Sequence, residues 1–340
     1  MRLMFIGFGT VGQGLAELLL EKKEHLSHKY EFEFVVTGIS DINKGSLYDP
    51  EGIDLEKAIN VLREKGKLDS SCGPVYKQSA LSMIQNKDAD VVVEATYTDI
   101  KTGEPATAHI RTALSKGMHV ITTNKGPLSL HYQELASLAK VNNVKLLFEG
   151  TVMSGTPLLN LMRETLAGSA VKEIKGILNG TTNYILTQME SGLSYETALK
   201  RAQELGYAEA VPDADVLGWD ALAKVTILAK AAFGAEKNPF DYPCEGITGI
   251  SAEDVSEAKE SGQRYKLIGK VWRDGEEVKA SVGPEKVDLS HPLAGVGGAA
   301  NAAAITTDTL GEITIVGPGA GKRETGFSLL ADLLKIGGIK

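Results

Sequence analysis

The chain has little with which to brace itself covalently. Among 340 residues only Cys72 and Cys244 are cysteines, too few and too far apart for a disulfide framework or a cysteine metal site, so two reduced thiols are expected. Positive charge is short as well. The 36 Lys and Arg set against 44 Asp and Glu leave a formal charge of −8, which argues against nucleic acid or an anionic membrane as the main partner. A locally basic cleft is still compatible with that total. No apolar run approaches the roughly 20 residues of a membrane helix. The apolar opening at residues 1–6 is too short for a secretory signal and leads straight into a glycine turn, so it reads as a buried strand. Solenoid-spaced repeats and low-complexity linkers are lacking too. A cytoplasmic chain of this length is expected to form two packed units and to bury about three quarters of its unfolded surface.

What is present first is a glycine pattern. Gly7, Phe8, Gly9, Thr10, Val11 and Gly12 have the G-x-G-x-x-G form, directly after the strand and at the start of a helix. The first glycine permits a tight turn, the second lets the backbone approach a pyrophosphate, and the third lets helix and strand pack closely. Free N–H groups and partial positive charge at the helix start then favour the phosphates. The choice between NAD and NADP stays open. Asp41 would accept a bond from a ribose hydroxyl, whereas Ser40, Asn43, Lys44 and Lys57 would receive a 2′-phosphate, and Asp41 lies further from Gly12 than the usual ~20 residues. A second glycine loop, residues 317–321 followed by Lys322, is not a phosphate loop. Val316 stands where its first glycine belongs, and Arg323 replaces the metal-binding hydroxyl.

Around this turn, β-branched runs alternate with helical patterns, as in a parallel sheet covered by helices. Strands are expected at residues 3–6, 32–39, 89–94, 118–122 and 144–148, and helices at 11–20, 55–65, 105–117 and 130–141. Beyond about residue 150 the texture changes. Helices are expected at 157–166, 183–190, 195–204 (with Ser194 as N-cap) and 219–233, with strands at 171–178, 265–272 and 277–282. The tail repeats the opening order, with a strand at 313–316, a glycine loop and a helix at 324–336. The expected fold is α/β: an N-terminal Rossmann-type doubly wound sheet, an α+β catalytic and substrate domain, and a C-terminal helix that returns to the first domain. Residues 1–130 completed by 316–340 form the nucleotide-binding part, and 151–298 the catalytic part.

The chemistry concentrates on a few charged residues. Lys125 follows a strand, where ligands of open α/β sheets sit; the plainer alternative is an exposed loop lysine. Asp220 and Lys224 are four apart on a helix and share a face. A surface ion pair would be worth only about 0.3–0.5 kcal/mol, but the helix is so apolar that Lys224 is expected to be buried, and a buried charge needs a partner or a purpose. Glu209, Asp213 and Asp215 add carboxylates, which suit a substrate bearing an ammonium group. Hydride transfer from an alcohol requires a proton acceptor. A lysine near its ordinary pKa of about 10.4 is a poor base near neutrality, so desolvation and a second cation, with Lys125 the candidate, would have to lower it.

At these residues the sequence resembles the homoserine dehydrogenases over nearly its whole length. The resemblance is carried by GFGTVG at 7–12, TNKGPL at 123–128, EGTVMSGTP at 149–157, ILNGTTNYIL at 177–186, the segment GYAEAVPDADVLGWDALAKVTILA at 206–229, HPLAGVGGAAN at 291–301 and GPGAGKRETG at 317–326. It implies reversible oxidation of L-homoserine to L-aspartate 4-semialdehyde with NAD or NADP, in threonine and methionine biosynthesis. It implies Lys224 as the proton-transferring residue, Asp220 as its partner and Lys125 as a second active-site lysine. Glu209, Asp215 and Thr182 fall at the substrate, and Ser40, Thr96 and Gly321 join the first glycine turn at the cofactor. Glu149, Val152, Ser154 and Thr156 resemble a loop that binds sodium through mainly backbone oxygens, although Met153 and Ser154 stand where smaller residues are usual. A homodimer or higher oligomer is implied, with contacts through 131–150 and 299–315. The short form, without a regulatory domain, implies little inhibition by threonine. Two other functions are weighed: an aspartate-semialdehyde dehydrogenase, which needs a cysteine nucleophile that neither Cys72 nor Cys244 supplies convincingly, and a catalytically inactive NAD(P)-sensing regulator.

Overall fold

The computed structural model describes residues 1–339, so residue 340 of the expected C-terminal return lies outside them. The chain divides into two compact units, Met1–Gly155 with Gly321–Lys340, and Thr156–Ala320. The second is thus an insertion between the body of the first and its last helix.

The first unit is built on a six-stranded sheet of order β3-β2-β1-β4-β5-β6. Its strands are β1 (Arg2–Ile6), β2 (Val35–Asp41), β3 (Gly45–Tyr48), β4 (Val91–Glu94), β5 (His119–Thr122) and β6 (Leu146–Leu147). All neighbours are parallel except the β2–β3 pair. The central strands are buried on both faces, which explains their unbroken runs such as Val91-Val92-Val93. The helices are α1 (Thr10–Glu21), α2 (Lys23–Tyr30), α3 (Leu55–Lys65), α4 (Ala80–Asn86), α5 (Ala106–Ser115), α6 (Lys125–Val141), α7 (Gly150–Met153) and, at the chain's end, α14 (Lys322–Ile336). Leu15 and Leu19 of α1, Ala58 and Ile59 of α3 and Leu329, Leu330 and Leu333 of α14 share one core with Leu3, Phe5 and Ile39 of the sheet.

The insertion begins with α8 (Leu158–Asn160) and a π turn (Leu161–Thr165). It carries the antiparallel strands β7 (Val171–Ile177), β8 (Gln263–Asp274), β9 (Glu277–Asp288), β10 (Ala300–Thr307) and β11 (Glu312–Pro318) in the order β11-β10-β7-β8-β9. Its helices are α9 (Gly180–Glu190), α10 (Tyr195–Glu204), α11 (Asp213–Val216), α12 (Trp219–Phe233) and α13 (Ala252–Glu260). Ser194 caps α10 as expected, accepting from Thr197 N.

Several expectations need correction. β2 starts at Val35 rather than 32: Phe32 and Phe34 precede the ladder, Phe32 buried within the core and Phe34 packed against it. Elements β3, β10, α2, α4, α7, α11 and α13 were not anticipated. The strand near residue 313 does not extend the first sheet: β11 pairs with β10 in the second one, so the tail shares the opening's local order but not its sheet. Lys125 lies on a helix rather than in a loop, since α6 starts there and not at 130, with Asn124 accepting from Gly126 N at 3.2 Å as N-cap.

Candidate active site

The first glycine turn shows which of its glycines the fold itself demands. Gly7 has φ +88°, and a Cβ there would lie 2.4 Å from the Ala95 carbonyl oxygen. One on Gly12 would lie 2.6 Å from the Gly7 carbonyl oxygen. Gly9 is different. Its φ is −74°, and an added Cβ meets no protein atom within 4 Å. Nothing in the protein requires that glycine, so the room it leaves is room for a ligand. Gly9 is also the N-cap of α1, and no side chain caps that helix, so its first N–H groups remain available to an anion.

This turn forms one wall of a cavity of about 880 Å³ lined by Gly7, Gly9, Ser40, Asp41, Thr96 and His109, among others. The cavity therefore opens at the carboxyl ends of β1, β2 and β4, where an α/β sheet holds its ligand. Phe8 is fully buried and packs edge-on against Phe5, ring centroids 5.4 Å apart, so only its backbone belongs to the turn. Asp41 Oδ2 accepts from Phe8 N at 2.9 Å, and its Oδ1 accepts from Asn43 N and Lys44 N. A carboxylate thus stands at the tip of β2 beside the glycine turn. The Ser40 hydroxyl is shared with Ser46 at 2.9 Å, and the Ser40 carbonyl accepts from Gly7 N at 2.8 Å. Gly321 is the N-cap of α14 with φ +130°. Lys322 and Arg323 after it pair with Glu17 and Glu21 of α1.

The second unit holds the lysine and the acids. Lys224 is 7% exposed, on a helix with almost no polar face. Its ammonium donates to the Leu178 carbonyl at 2.6 Å and sits 2.7 Å from Asp220 Oδ2. The i, i+4 spacing thus produces a buried pair, not a surface one. Asn179 joins the cluster together: its Nδ2 donates to Asp215 Oδ1 at 2.7 Å and to Asp220 Oδ2 at 3.0 Å, and its Oδ1 accepts from Thr182 N at 2.9 Å as the N-cap of α9. Burial, and then the charge of Asp220, push the Asp215 carboxyl above its ordinary range. Thr182 is fully buried with its hydroxyl on Asn179, so it touches the acids only through that residue. Glu209 lies on an exposed stretch after α10, where its carbonyl accepts from Gln203 Nε2; its carboxylate is not in the cluster. Helix α9 is fixed from behind by Lys266, fully buried, which donates to Asn183 Oδ1 at 3.1 Å and to the Val296 carbonyl at 2.8 Å.

Asn179 was not singled out in the sequence. The signal available was an Asn-Gly pair standing between a strand and a helix, the position of an N-cap.

In the expected cation loop, Glu149 precedes α7, Val152 lies within it, and Ser154 ends it with φ +52°. The Ser154 hydroxyl is shared with Thr325 at 2.7 Å, and that of Thr156 donates to the Pro318 carbonyl at 3.1 Å. Both hydroxyls are therefore engaged, which leaves the backbone oxygens of the loop as the ligating groups to consider. Among the described residues no three His, Cys, Asp or Glu side chains gather as a metal site, and no helix is long and apolar enough to cross a membrane.

Comparison with known proteins yields consistent matches. Residues 157–334 match the homoserine dehydrogenase family, and residues 7–149 its NAD-binding domain. The chain is 43% identical over 337 residues to homoserine dehydrogenase of Methanocaldococcus jannaschii, covering 99% of this chain and 98% of the relative. It is 41% identical over 336 residues to the NAD(+)-dependent homoserine dehydrogenase of Pseudomonas canavaninivorans, covering 98% and 96%. A hyperthermophilic archaeal homoserine dehydrogenase in complex with NADPH superposes with a TM-score of 0.84 at 33% identity, covering 99% of this chain and 97% of that one.

Proposed function

Since the chain belongs to the homoserine dehydrogenase family, NAD(P)-dependent oxidoreductases acting on a CH–OH group, we propose that Lys224, Asp220, Asp215 and Asn179 carry its reversible oxidation of L-homoserine to L-aspartate 4-semialdehyde. The observation that carries this assignment is the buried Lys224 ammonium, held between the Asp220 carboxylate and the Leu178 carbonyl.

Held at the glycine turn of Gly7, Gly9 and Gly12, NAD(P)+ would supply the hydride acceptor for the hydroxyl-bearing carbon of the substrate. The hydroxyl proton must leave with that hydride, and Lys224 takes it once its ammonium has given up a proton to solvent and stands as the amine. In reverse, the ammonium donates it to the carbonyl oxygen. Asp220 and the Leu178 carbonyl fix the nitrogen in place, and Asn179 holds Asp220 and Asp215 in register, so the proton-carrying group needs no rearrangement. Asp215 and the exposed Glu209 are the carboxylates for the substrate's ammonium group, and Thr182 acts through Asn179. Lys125, the first residue of α6, is the second lysine of the site. Neither alternative is favoured. The described cysteines, Cys72 and Cys244, take no part in either cluster, and an intact lysine–aspartate pair has no use in an inactive sensor.

Gly7, Gly9, Thr10, Val11 and Gly12, with Ser40, Thr96 and Gly321, would hold the cofactor. The backbone-anchored Asp41 at the tip of β2 favours a ribose hydroxyl over a 2′-phosphate, so NAD is the preferred partner; a kcat/KM higher with NADP+ than with NAD+ would contradict this. Glu149, Val152, Ser154 and Thr156 bind a monovalent cation through backbone oxygens, and no step depends on it; unchanged melting across a sodium titration at constant ionic strength would argue against it. The chain acts in the cytoplasm as a homodimer or larger oligomer through 131–150 and 299–315; a single-subunit mass in analytical ultracentrifugation would remove the oligomer. Residues 1–130 with the C-terminal return serve the cofactor, and 151–298 the substrate.

Replacing Lys224 with Ala should lower turnover about 100- to 10,000-fold, the range of a lost general base. Cofactor binding, followed by fluorescence titration of the reduced form, should stay within about twofold. Turnover close to the parent's would remove Lys224 from the reaction.

A further inference from the structure

Glu94 ends β4, has no exposed surface, and takes no part in the reaction as described so far. A buried carboxylate is costly unless its oxygens are bonded, and here three donors meet it. Oε1 accepts from the Thr96 hydroxyl and, at 3.3 Å, from the Thr96 backbone N–H. Oε2 accepts from the Thr122 hydroxyl at 3.2 Å.

The bonds continue away from the acid. Thr122 Oγ1 accepts from the backbone N–H of Asn124 at 3.0 Å. Asn124 Nδ2 donates to the Tyr97 carbonyl at 2.9 Å, and its Oδ1 caps α6 at Gly126 N. Lys125 is the first residue of that helix. There is no slack at this point, since a Cβ on Gly126 would lie 2.3 Å from the Asp99 carbonyl oxygen. On the opposite side, His109 presents Nδ1 to Glu94 Oε1 at 3.6 Å, and that nitrogen has no hydrogen-bond partner among the described residues. Thr96 and His109 both line the cavity beside the first glycine turn.

We infer that Glu94 is a positioning residue: through Thr122 and Asn124 it sets the first turn of α6 and so the place of Lys125, and through Thr96 it fixes the cavity wall. The inference rests on the assignment of Lys125 to the site. Glu94 touches neither substrate nor cofactor in this account. Its carboxylate takes the hydroxyl protons of Thr96 and Thr122, which leaves the Thr122 oxygen to accept from the Asn124 N–H that follows β5. An amide in its place would turn an N–H toward one of those hydroxyls and reverse that bond.

The test uses the full chain in four forms besides the parent: Glu94→Gln, Thr122→Val, Lys125→Ala and the Glu94→Gln/Lys125→Ala pair. Circular dichroism establishes folding, fluorescence titration gives the NADH dissociation constant, and steady-state assays give kcat and KM separately. Glu94→Gln and Thr122→Val are expected to melt near the parent and to lower kcat about tenfold or more, the scale of a displaced site group, with homoserine KM changed less than kcat. Adding Glu94→Gln to Lys125→Ala should bring no further loss of kcat, because the group being positioned is already gone. Folded single variants with parental kcat would overturn the inference, as would a Glu94→Gln effect that multiplies in full onto Lys125→Ala. Should Glu94→Gln not fold, Thr122→Val alone decides. A parental Lys125→Ala would be a different failure: it would remove Lys125 from the site, and the inference with it.

Discussion

Asp215 is held where its charge is disfavoured. Burial, then the neighbouring Asp220, raise its carboxyl above the ordinary value, while Asn179 and Lys224 oppose them. The folded state therefore holds this proton more tightly than the unfolded one. The group's stabilising contribution is fully present below the unfolded pKa near 3.9, and it is lost as pH rises through the folded value. At neutral pH the ionised Asp215 is thus a net cost to the fold. Asp215→Asn should raise the melting temperature at pH 7 by about 2 °C, shrink that gain toward pH 4, and still impair turnover; a clear drop in melting temperature at pH 7 would show that the burial argument is wrong. At this scale the sequence was informative about charged residues and silent about amides. Four-residue spacing on an apolar helix marked Asp220 and Lys224 as a pair. Asn179 links three of the same groups but carries no charge or periodicity that would separate it from any other capping residue.

Between elements, one contact sensitive to a single atom is the crossing of α1 and α14. A Cβ on Gly14 would stand 2.2 Å from the Lys322 carbonyl oxygen, and one on Gly326 would stand 2.6 Å from the Gly14 carbonyl carbon. Two glycines therefore let the helices approach backbone to backbone, and the Lys322–Glu17 and Arg323–Glu21 pairs lie beside the contact. Gly14→Val should cost about 1–3 kcal/mol as an overpacking substitution, visible as a lower denaturant midpoint, whereas Gly66→Ala tests another constraint, since it has open space but φ +71°. An unchanged midpoint for Gly14→Val would mean that the crossing can relax. The positions of strong helices such as α3, α10 and α12 were legible from periodicity and caps. Element β3 was not, because its four residues bury only Leu47 within a polar stretch. Nor was the partner of β11: a strand, a glycine loop and a helix in succession describe local geometry, and the sheet a strand joins depends on distant residues.

As a whole, the molecule is one unit inserted into another; the insertion begins at 156, and the sequence changes texture near residue 150. Its far end was harder to read, because β11 and α14 follow one another without a polar linker and yet belong to different units. The two ends of the insertion are tied by the bond from the Thr156 hydroxyl to the Pro318 carbonyl, and its antiparallel sheet and helices share contacts of their own. A fragment of residues 156–320 is therefore expected to melt cooperatively by itself, whereas 1–155 alone should not. A cooperative transition in 1–155 would contradict the latter, and a fragment 156–320 that stays unfolded the former.

The placing of α14 has a consequence for synthesis. A ribosome delivers β1 to β6 first, then all of the inserted unit, and only after it the helix whose Leu329, Leu330 and Leu333 complete the first core. Until that helix emerges, one flank of the earliest-made sheet waits with its oily side uncovered. A messenger cut just before that helix would hence yield a finished insertion on an unfinished host, a species prone to clump although most of its length is correct.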